Sequence, residues 1–282
     1  VAKVGKLLDG ASEGKAGKGF PTDDNEMASE CAARMLRAAL SGDVLALEQT
    51  LSDGAEIGAV DENGNSGLHL AVRGGFMHCI KILLSANTEL NNTNKQGDTP
   101  LMLTVCCEDP VHILEFLLHN GADLNHENLI GCRLVHYAAG EANMKLLKHL
   151  VEKKKVDVMQ QNIDAMTPLA CAVLQDRVEA ARYLIRAQPD LLKVSDGNGD
   201  YPLHLAVVVG RRATAAALLE EGAALEQANE RGETVMQLAQ ASSDAGMTAL
   251  LSTHRTKASA KSASKFWDRA DALVAQGKWD EA

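Results

Sequence analysis

Any chemistry in this sequence has to come from nine histidines, six cysteines and one glycine-lysine run. The run Gly14-Lys-Ala-Gly-Lys-Gly19 superficially suggests a phosphate loop. Such a loop needs Gly, four residues and then Gly-Lys-Ser/Thr after a strand, and none of those conditions holds. The cysteines, at positions 31, 79, 106, 107, 132 and 171, contain no CxxC pair and no matching histidine spacing. They point to reduced thiols, not to a zinc site or a disulfide framework. Cys106 and Cys107 have no Lys or Arg close in sequence to lower a thiol pKa, so a small-residue role in a helix is expected. The histidines and acidic residues form no HExxH, no Ser-His-Asp context and no nucleophile elbow. No catalytic residue, metal or cofactor is therefore expected.

What the histidines do have is a period. His69, His136 and His204 occupy one position of a recurring string: an Asp or Asn, Gly three places on, then a cluster around Pro-Leu-His and Ala. The register residues are Asp61, Asn94, Asn128, Asn162, Asp196 and Asn229, at spacings of 33, 34, 34, 34 and 33. A constant period of this length marks a structural repeat. A ring nitrogen recurring at that place is expected to tie neighbouring loops together.

Elementary chemistry gives each unit its shape. In Asn94-Lys-Gln-Gly-Asp-Thr-Pro-Leu-Met-Leu-Thr104, the Pro stands where a first-turn residue needs no intrahelical N–H partner, and the Thr before it can cap the helix. Thr99 and Thr167 are the expected caps. Asp109-Pro110 opens a second helix in the same way. Gly54, Gly121 and Gly222 supply the left-handed residue that ends second helices. Each unit is then turn, helix, loop, helix, turn. Its apolar face cannot be buried alone, so neighbours must stack and share a core.

These strings resemble the ankyrin repeat, from Asp196-Gly-Asn-Gly-Asp-Tyr-Pro-Leu-His-Leu-Ala206 at the opening to Leu117-Leu-His-Asn-Gly-Ala-Asp-Leu-Asn125 at the close. The resemblance covers roughly residues 28–252 and implies an all-α solenoid of about seven helix-turn-helix units with short β-turn or hairpin fingers. Residues 28–60 keep both helices without the Gly-Pro opening and read as an N-terminal cap unit; 61–228 are central repeats and 229–252 a C-terminal unit. Departures fall in the middle. Arg133-Leu134 replaces Thr-Pro, Ala165 replaces the turn Gly, and Lys153–Lys155 and Gln188-Pro189 replace the terminal Gly, so altered loops are expected there. Asn91 and Asn125 stand in strings resembling asparagine-hydroxylation targets of ankyrin repeats, but the same strings are simply the repeat ending.

Outside the array, residues 1–27 read as a flexible leader and 253–264 as a basic linker. An amphipathic helix over 265–282 carries Phe266, Ala270, Leu273 and Val274 on one face; it either caps the array or resembles the start of a tetratricopeptide repeat. The formal net charge of −10 concentrates as −14 between residues 19 and 252, which argues against nucleic acid as a partner. No apolar run approaches the roughly 18–20 residues needed to span a bilayer. A cytoplasmic protein, or one of the nucleus, is the expectation, as a monomer.

In ankyrin arrays the turn tips and the outward ends of first helices line a concave surface, and the resemblance carries that map onto this chain. Here the apolar positions cluster in the middle: Leu129, Ile130, Ile163, Met166, Leu174, Tyr201, Val208 and Val209. They form a partner-contact surface unless they pack between fingers or lie under the C-terminal helix. The expected function is a non-enzymatic adaptor or scaffold that binds a segment of a partner protein. The alternative is a regulatory or targeting module of a larger protein, either an enzyme or a tetratricopeptide-containing co-chaperone. A third reading is an acidic inhibitor that masks a basic partner.

Overall fold

The computed structural model describes residues 24–257. Seven helix pairs follow one another. They are α1 (Asp24–Ser41) with α2 (Val44–Ser52), α3 (Gly67–Arg73) with α4 (Met77–Ser85), and a 3-10 helix Pro100–Cys106 with α5 (Pro110–His119). Then come α6 (Leu134–Gly140) with α7 (Met144–Lys148), α8 (Pro168–Leu174) with α9 (Val178–Ala187), α10 (Pro202–Val208) with α11 (Arg212–Glu220), and α12 (Val235–Ala241) with a closing helix over 245–257. Among the described residues the only β pairing is two isolated antiparallel bridges, Val60 with Ser66 and Ala228 with Thr234. This is the expected all-α ankyrin-type solenoid.

The helices start and stop for identifiable reasons. Ser66, Thr167 and Thr234 accept hydrogen bonds from the backbone N–H groups of His69, Ala170 and Gln237 and so satisfy orphan donors of α3, α8 and α12. Thr99 departs from expectation. Its hydroxyl is buried without a partner, and the helix behind it is 3-10. Gly54, Gly121 and Gly222 end second helices at φ of +85°, +97° and +99°. Where Gly is missing, the endings change as the sequence implied: α7 runs into a π-helical turn, His149–Lys153, and α9 into a 3-10 turn, Pro189–Lys193.

One continuous core runs through the stack, from Met35 and Leu47 through Leu83, Leu117, Leu150 and Leu184 to Leu218, Met247 and Leu251. Each fully buried Leu contributes about 2 kcal/mol of apolar transfer free energy. Because each unit shares its leucines with the unit or units beside it, no unit keeps that contribution alone.

Two boundaries differ from the sequence reading. α1 begins at Asp24, inside the stretch expected as a leader, and the closing helix continues to Lys257, inside the stretch expected as a linker. Thr253-His-Arg-Thr-Lys257 contains no Gly or Pro to stop a helix, and Arg255 Nε reaches Glu226 Oε1 at 3.2 Å. The rest of the leader and linker, and the amphipathic helix expected over 265–282, lie outside the described residues.

Candidate protein-interaction surface

Each finger is held by its register residue. A side-chain oxygen of Asp61, Asn94, Asn128, Asn162, Asp196 or Asn229 accepts hydrogen bonds from the backbone N–H groups two and four residues on. The Asn128 pair, from Ile130 and Cys132, measures 3.1 and 2.9 Å, and the Asn162 pair, from Asp164 and Met166, 3.0 and 2.9 Å. This is the Asx turn, for which Asp and Asn have the right reach. The residue three places on is left-handed in every finger, at φ of +79° for Gly97, +71° for Gly131 and +53° for Ala165.

Fingers are then zipped side by side. The backbone N–H groups of Lys95, Leu129, Ile163 and Gly197 donate to the carbonyls of Asn63, Gln96, Ile130 and Asp164, at 2.8 to 3.1 Å. Beneath this ladder runs a second one of side chains. The amides of Asn94, Asn128 and Asn229 donate to Asn65, Asp98 and Asp200 in the preceding finger at 2.7 to 2.9 Å, and that of Asn162 donates to Cys132 Sγ at 3.4 Å. The sequence reading took these residues only as register marks; the array uses them as inter-unit ties.

The histidines do what their period implied. Nε2 of His69, His136 and His204 bonds the carbonyls of Asp98, Gln160 and Glu233 at 3.0 to 3.2 Å, while Nδ1 of His69 and His136 accepts the N-cap backbone N–H of Ser66 and Arg133 at 3.1 Å. A ring that accepts at one nitrogen and donates at the other is neutral. Burial, which disfavours the imidazolium, lowers the pKa of all three below the ordinary 6.5.

On this frame sit the eight residues singled out by the sequence. Leu129 is 72% exposed, Ile130 40%, Ile163 69% and Val208 53%. Leu129, Ile130 and Ile163 are brought together, since Ile163 N bonds Ile130 O at 3.1 Å across neighbouring fingers. The others are placed differently. Met166 is half-buried at the base of its finger and packs on the core. Tyr201 is half-buried, with its ring 5.7 Å from that of His204. Leu174, Val208 and Val209 sit at the far ends of α8 and α10 from the fingers, Leu174 and Val209 half-buried.

The ankyrin-repeat family model, "Ankyrin repeats (3 copies)", matches residues 35–128, 104–193 and 135–229. The chain belongs to the ankyrin-repeat family. Over 195 residues it is 29% identical to the nuclear factor NF-kappa-B p105 subunit of Gallus gallus, a match covering 65% of this chain and 19% of that protein. It is 27% identical to the putative ankyrin repeat protein YahD of Escherichia coli (strain K12), over 68% of this chain and 96% of that one. The crystal structure of the human ASB11 ankyrin repeat domain superposes with a TM-score of 0.66 at 24% identity, covering 78% of this chain and 96% of that chain. That likeness speaks to the fold alone.

The ankyrin array offers little to a nucleophile or a metal. All six cysteines are free thiols. Burial pushes Cys107 up to about 12, and its Sγ donates to Thr104 O at 2.9 Å. Partial desolvation by its neighbours also raises Cys106, although its side chain stands exposed at the end of the 3-10 helix, against the pull of Arg73, a cation from the neighbouring unit that sequence proximity could not reveal. A hydrogen bond to Cys132, together with burial, holds the Cys171 thiol protonated. Among the described residues, no group of three or more His, Cys, Asp or Glu is placed to hold a metal ion, and no helix is long and apolar enough to cross a membrane.

Sequence reasoning also missed a set of polar ties between second helices. Glu115 receives His149 Nε2 at 2.5 Å and Lys154 Nζ at 2.8 Å, and Arg182 and Arg186 reach Glu221 at 3.3 and 2.7 Å. Nothing in a single sequence flags residues 34 to 39 apart as partners until the units are stacked.

Proposed function

We propose that this ankyrin array is a non-enzymatic adaptor that captures a segment of a partner protein, with Leu129, Ile130 and Ile163 at the centre of the contact. The observation that carries the reading is the alignment of these exposed, branched apolar side chains on adjacent, hydrogen-bonded fingers. Contiguous apolar surface costs solubility and is usually retained for contact. A rigid scaffold suits the task, because little ordering entropy is lost on binding. Met166, Leu174, Tyr201, Val208 and Val209 complete the proposed surface as its less exposed margin. Reduced thiols and the acidic body are consistent with a monomer working in the cytoplasm or nucleus.

A second reading is favoured by one comparison: the match covers only 19% of the p105 subunit. In that reading the array is the regulatory or targeting module of a larger protein, and it uses the same surface.

The test is Ile130→Asp combined with Ile163→Asp. Burying unpaired charge in the contact costs several kcal/mol, so capture of partner protein by the immobilised chain should disappear. The thermal melt should shift by no more than about 0.5 kcal/mol of stability, as exposed substitutions do. Leu117→Asp, in the core at 0% exposure, is the contrast and should unfold the array. Capture that survives the double substitution in a folded protein would overturn the site, and unfolding by it would show that these side chains hold the fingers together.

A further inference from the structure

We infer that the partner segment is a basic stretch in the polyproline-II conformation, with two apolar side chains three residues apart and Lys or Arg beyond the one that meets Ile163. This rests on the tip surface proposed above and goes on to name what fits it.

The spacing follows from the stack. Packed helices lie roughly 8–10 Å apart. A polyproline-II chain rises about 3.1 Å per residue with three residues per turn, so one finger step matches one turn of a partner laid across the tips and brings its side chain back to the same face. A β-strand would send side chains three residues apart to opposite faces. Leu129 with Ile130 offers one apolar contact and Ile163, one finger on, the next. Two side chains three residues apart meet both.

The charge preference follows from which tip groups are already engaged. The two guanidinium groups on the fingers are paired with carboxylates within the array, whereas Lys95 is bonded only to a neutral carbonyl and keeps its charge beside Glu62. Lys95 Nζ donates to Glu62 O at 2.7 Å; Arg133 holds Glu127 at 2.6 Å; Arg231 is shared between Asp200 and Glu233, each at 3.0 Å. The tip carboxylates are not so engaged. Glu62, Asp164 and Glu230 are exposed, and among the described residues no hydrogen bond or ion pair reaches their side-chain oxygens. Asp164 adjoins Ile163; Glu62 and Glu230 stand two fingers out on either side of the apolar tips, about six partner residues away. A segment crossing this line meets the balanced pair of Glu62 and Lys95, then apolar contact, then free negative charge at Asp164 and Glu230. An acidic segment would meet repulsion from Asp164 onward, on a body already strongly negative.

Three fluorescein-labelled synthetic peptides serve as probes against the full chain, read by fluorescence anisotropy at physiological salt. All carry two leucines three residues apart; their flanks are Lys in one, Ser in another and Glu in the third. The Lys-flanked peptide should bind about tenfold or more tighter than the Ser-flanked one, and the Glu-flanked one weakest. Asp164→Asn with Glu230→Gln should bring the Lys and Ser peptides to within about threefold of each other. Ile130→Ser with Ile163→Ser, which leaves the charge unchanged, should remove binding of the Lys and Ser peptides alike. Equal binding of Lys- and Glu-flanked peptides would overturn the basic partner while leaving the apolar site standing. Undiminished binding of the Lys peptide to the Ile130→Ser/Ile163→Ser protein, or no binding of any peptide, would sink the tip site itself.

Discussion

Two junctions between fingers in this array are built from different parts. Between the fingers of Asn94 and Asn128, the Asn128 amide donates to Asp98 at 2.8 Å and to Tyr137 Oη at 2.9 Å, and Tyr137 in turn donates to Asp98 at 3.1 Å. Asp98 is almost fully buried, so this is a closed network in low dielectric. Between the fingers of Asn162 and Asp196 both members of the tie are changed at once. Asp196 has no amide to donate, and Met166 stands where Asp98 or Asp200 would accept. A carboxylate in place of Met166 would have faced another carboxylate, so the two changes make sense only together. What remains at that junction is the backbone bond from Gly197 N to Asp164 O at 2.8 Å and a bond from Gln161 Nε2 to Ser195 O at 3.1 Å. The lesson is that the period of 33 or 34 residues fixes where a tie belongs, while the strength of each tie is set by a pair of side chains.

The widest separation between the two junctions should come from removing their register residues. Asn128→Ala deletes an Asx turn and leaves the buried Asp98 carboxylate short of a donor, which should cost about 2–4 kcal/mol. Asp196→Ala deletes only the turn and should cost about 1 kcal/mol. Urea midpoints of the two variants, corrected for slope, check this. Equal losses would mean that the Asn128 network contributes no more than the turn it closes.

Next in size is the effect of acid on the histidine ties, which are formed at the fingers of Asp98 and Glu233 and beside Gln160 but have no counterpart spanning to Asp196. For His69, His136 and His204 the folded pKa lies below the unfolded value of 6.5. Between the two values the unfolded chain binds more protons, so stability falls as protons are added. The contribution of the neutral rings is complete above pH 6.5 and is lost as pH falls from there through the lower folded values. The slope is at most about 1.4 kcal/mol per pH unit for each ring. Denaturation at pH 7.5 and 5.5 should show this loss, and His69→Gln with His136→Gln should flatten it. Gln is the apt replacement because Gln237 already accepts the Thr234 N–H at 2.8 Å in the last unit. An unchanged slope would place the acid sensitivity elsewhere.

A third measurement rebuilds the missing tie. Met166→Asp alone should destabilise, since it exchanges packed apolar surface for a carboxylate near Asp196. Asp196→Asn alone gains a donor with nothing to receive it. Together they should recover about 1–2 kcal/mol relative to the sum of the singles, in a double-mutant cycle. Strict additivity would show that the fingers sit too far apart there for the tie.

How much of this was legible beforehand depends on whether a signal is periodic. The six units in register, the second-helix endings at Gly54, Gly121 and Gly222, and the altered endings after Lys153 and Gln188 follow from spacing and local φ requirements, while the cap unit before them came with the family resemblance. His69, His136 and His204 were readable as ties because they recur in register. The role of Asn128 toward Asp98 was not, because Asn and Asp suit turns anyway and nothing local separates a turn former from an inter-unit donor. Thr99 shows the opposite error: the Thr-Pro signature is present, yet its hydroxyl lies buried and uncapping. At the candidate surface, register placed Leu129, Ile130 and Ile163 on exposed tips. It could not tell that Met166 and Tyr201, just a few positions along, turn toward the core and toward His204.

The smallest effect should come from Ala165, where the weak junction differs at one more place. Gly64, Gly97, Gly131, Gly199 and Gly232 hold this finger position at φ between +71° and +79°, and Ala165 holds it at +53°. At Gly97 and Gly131 an added Cβ would stand 2.7 and 2.9 Å from the backbone nitrogen of the next finger, at Leu129 and Ile163. Those nitrogens belong to residues with side chains. Opposite Ala165 the next finger begins instead with Gly197, whose N–H donates to Asp164 O and where an added Cβ would meet that oxygen at 3.0 Å. Ala165 also holds a left-handed backbone, and a non-Gly residue there costs about 1 kcal/mol. Ala165→Gly should release that cost, less the extra chain entropy a glycine gives the unfolded state, for a net gain of about 0.5 kcal/mol. A rise of one to two degrees in the melt would be its sign. A fall would mean that the Ala165 methyl fills the space beside Gly197 with real packing. The junction between Asn162 and Asp196 would then be one of altered contacts and not a weakened one.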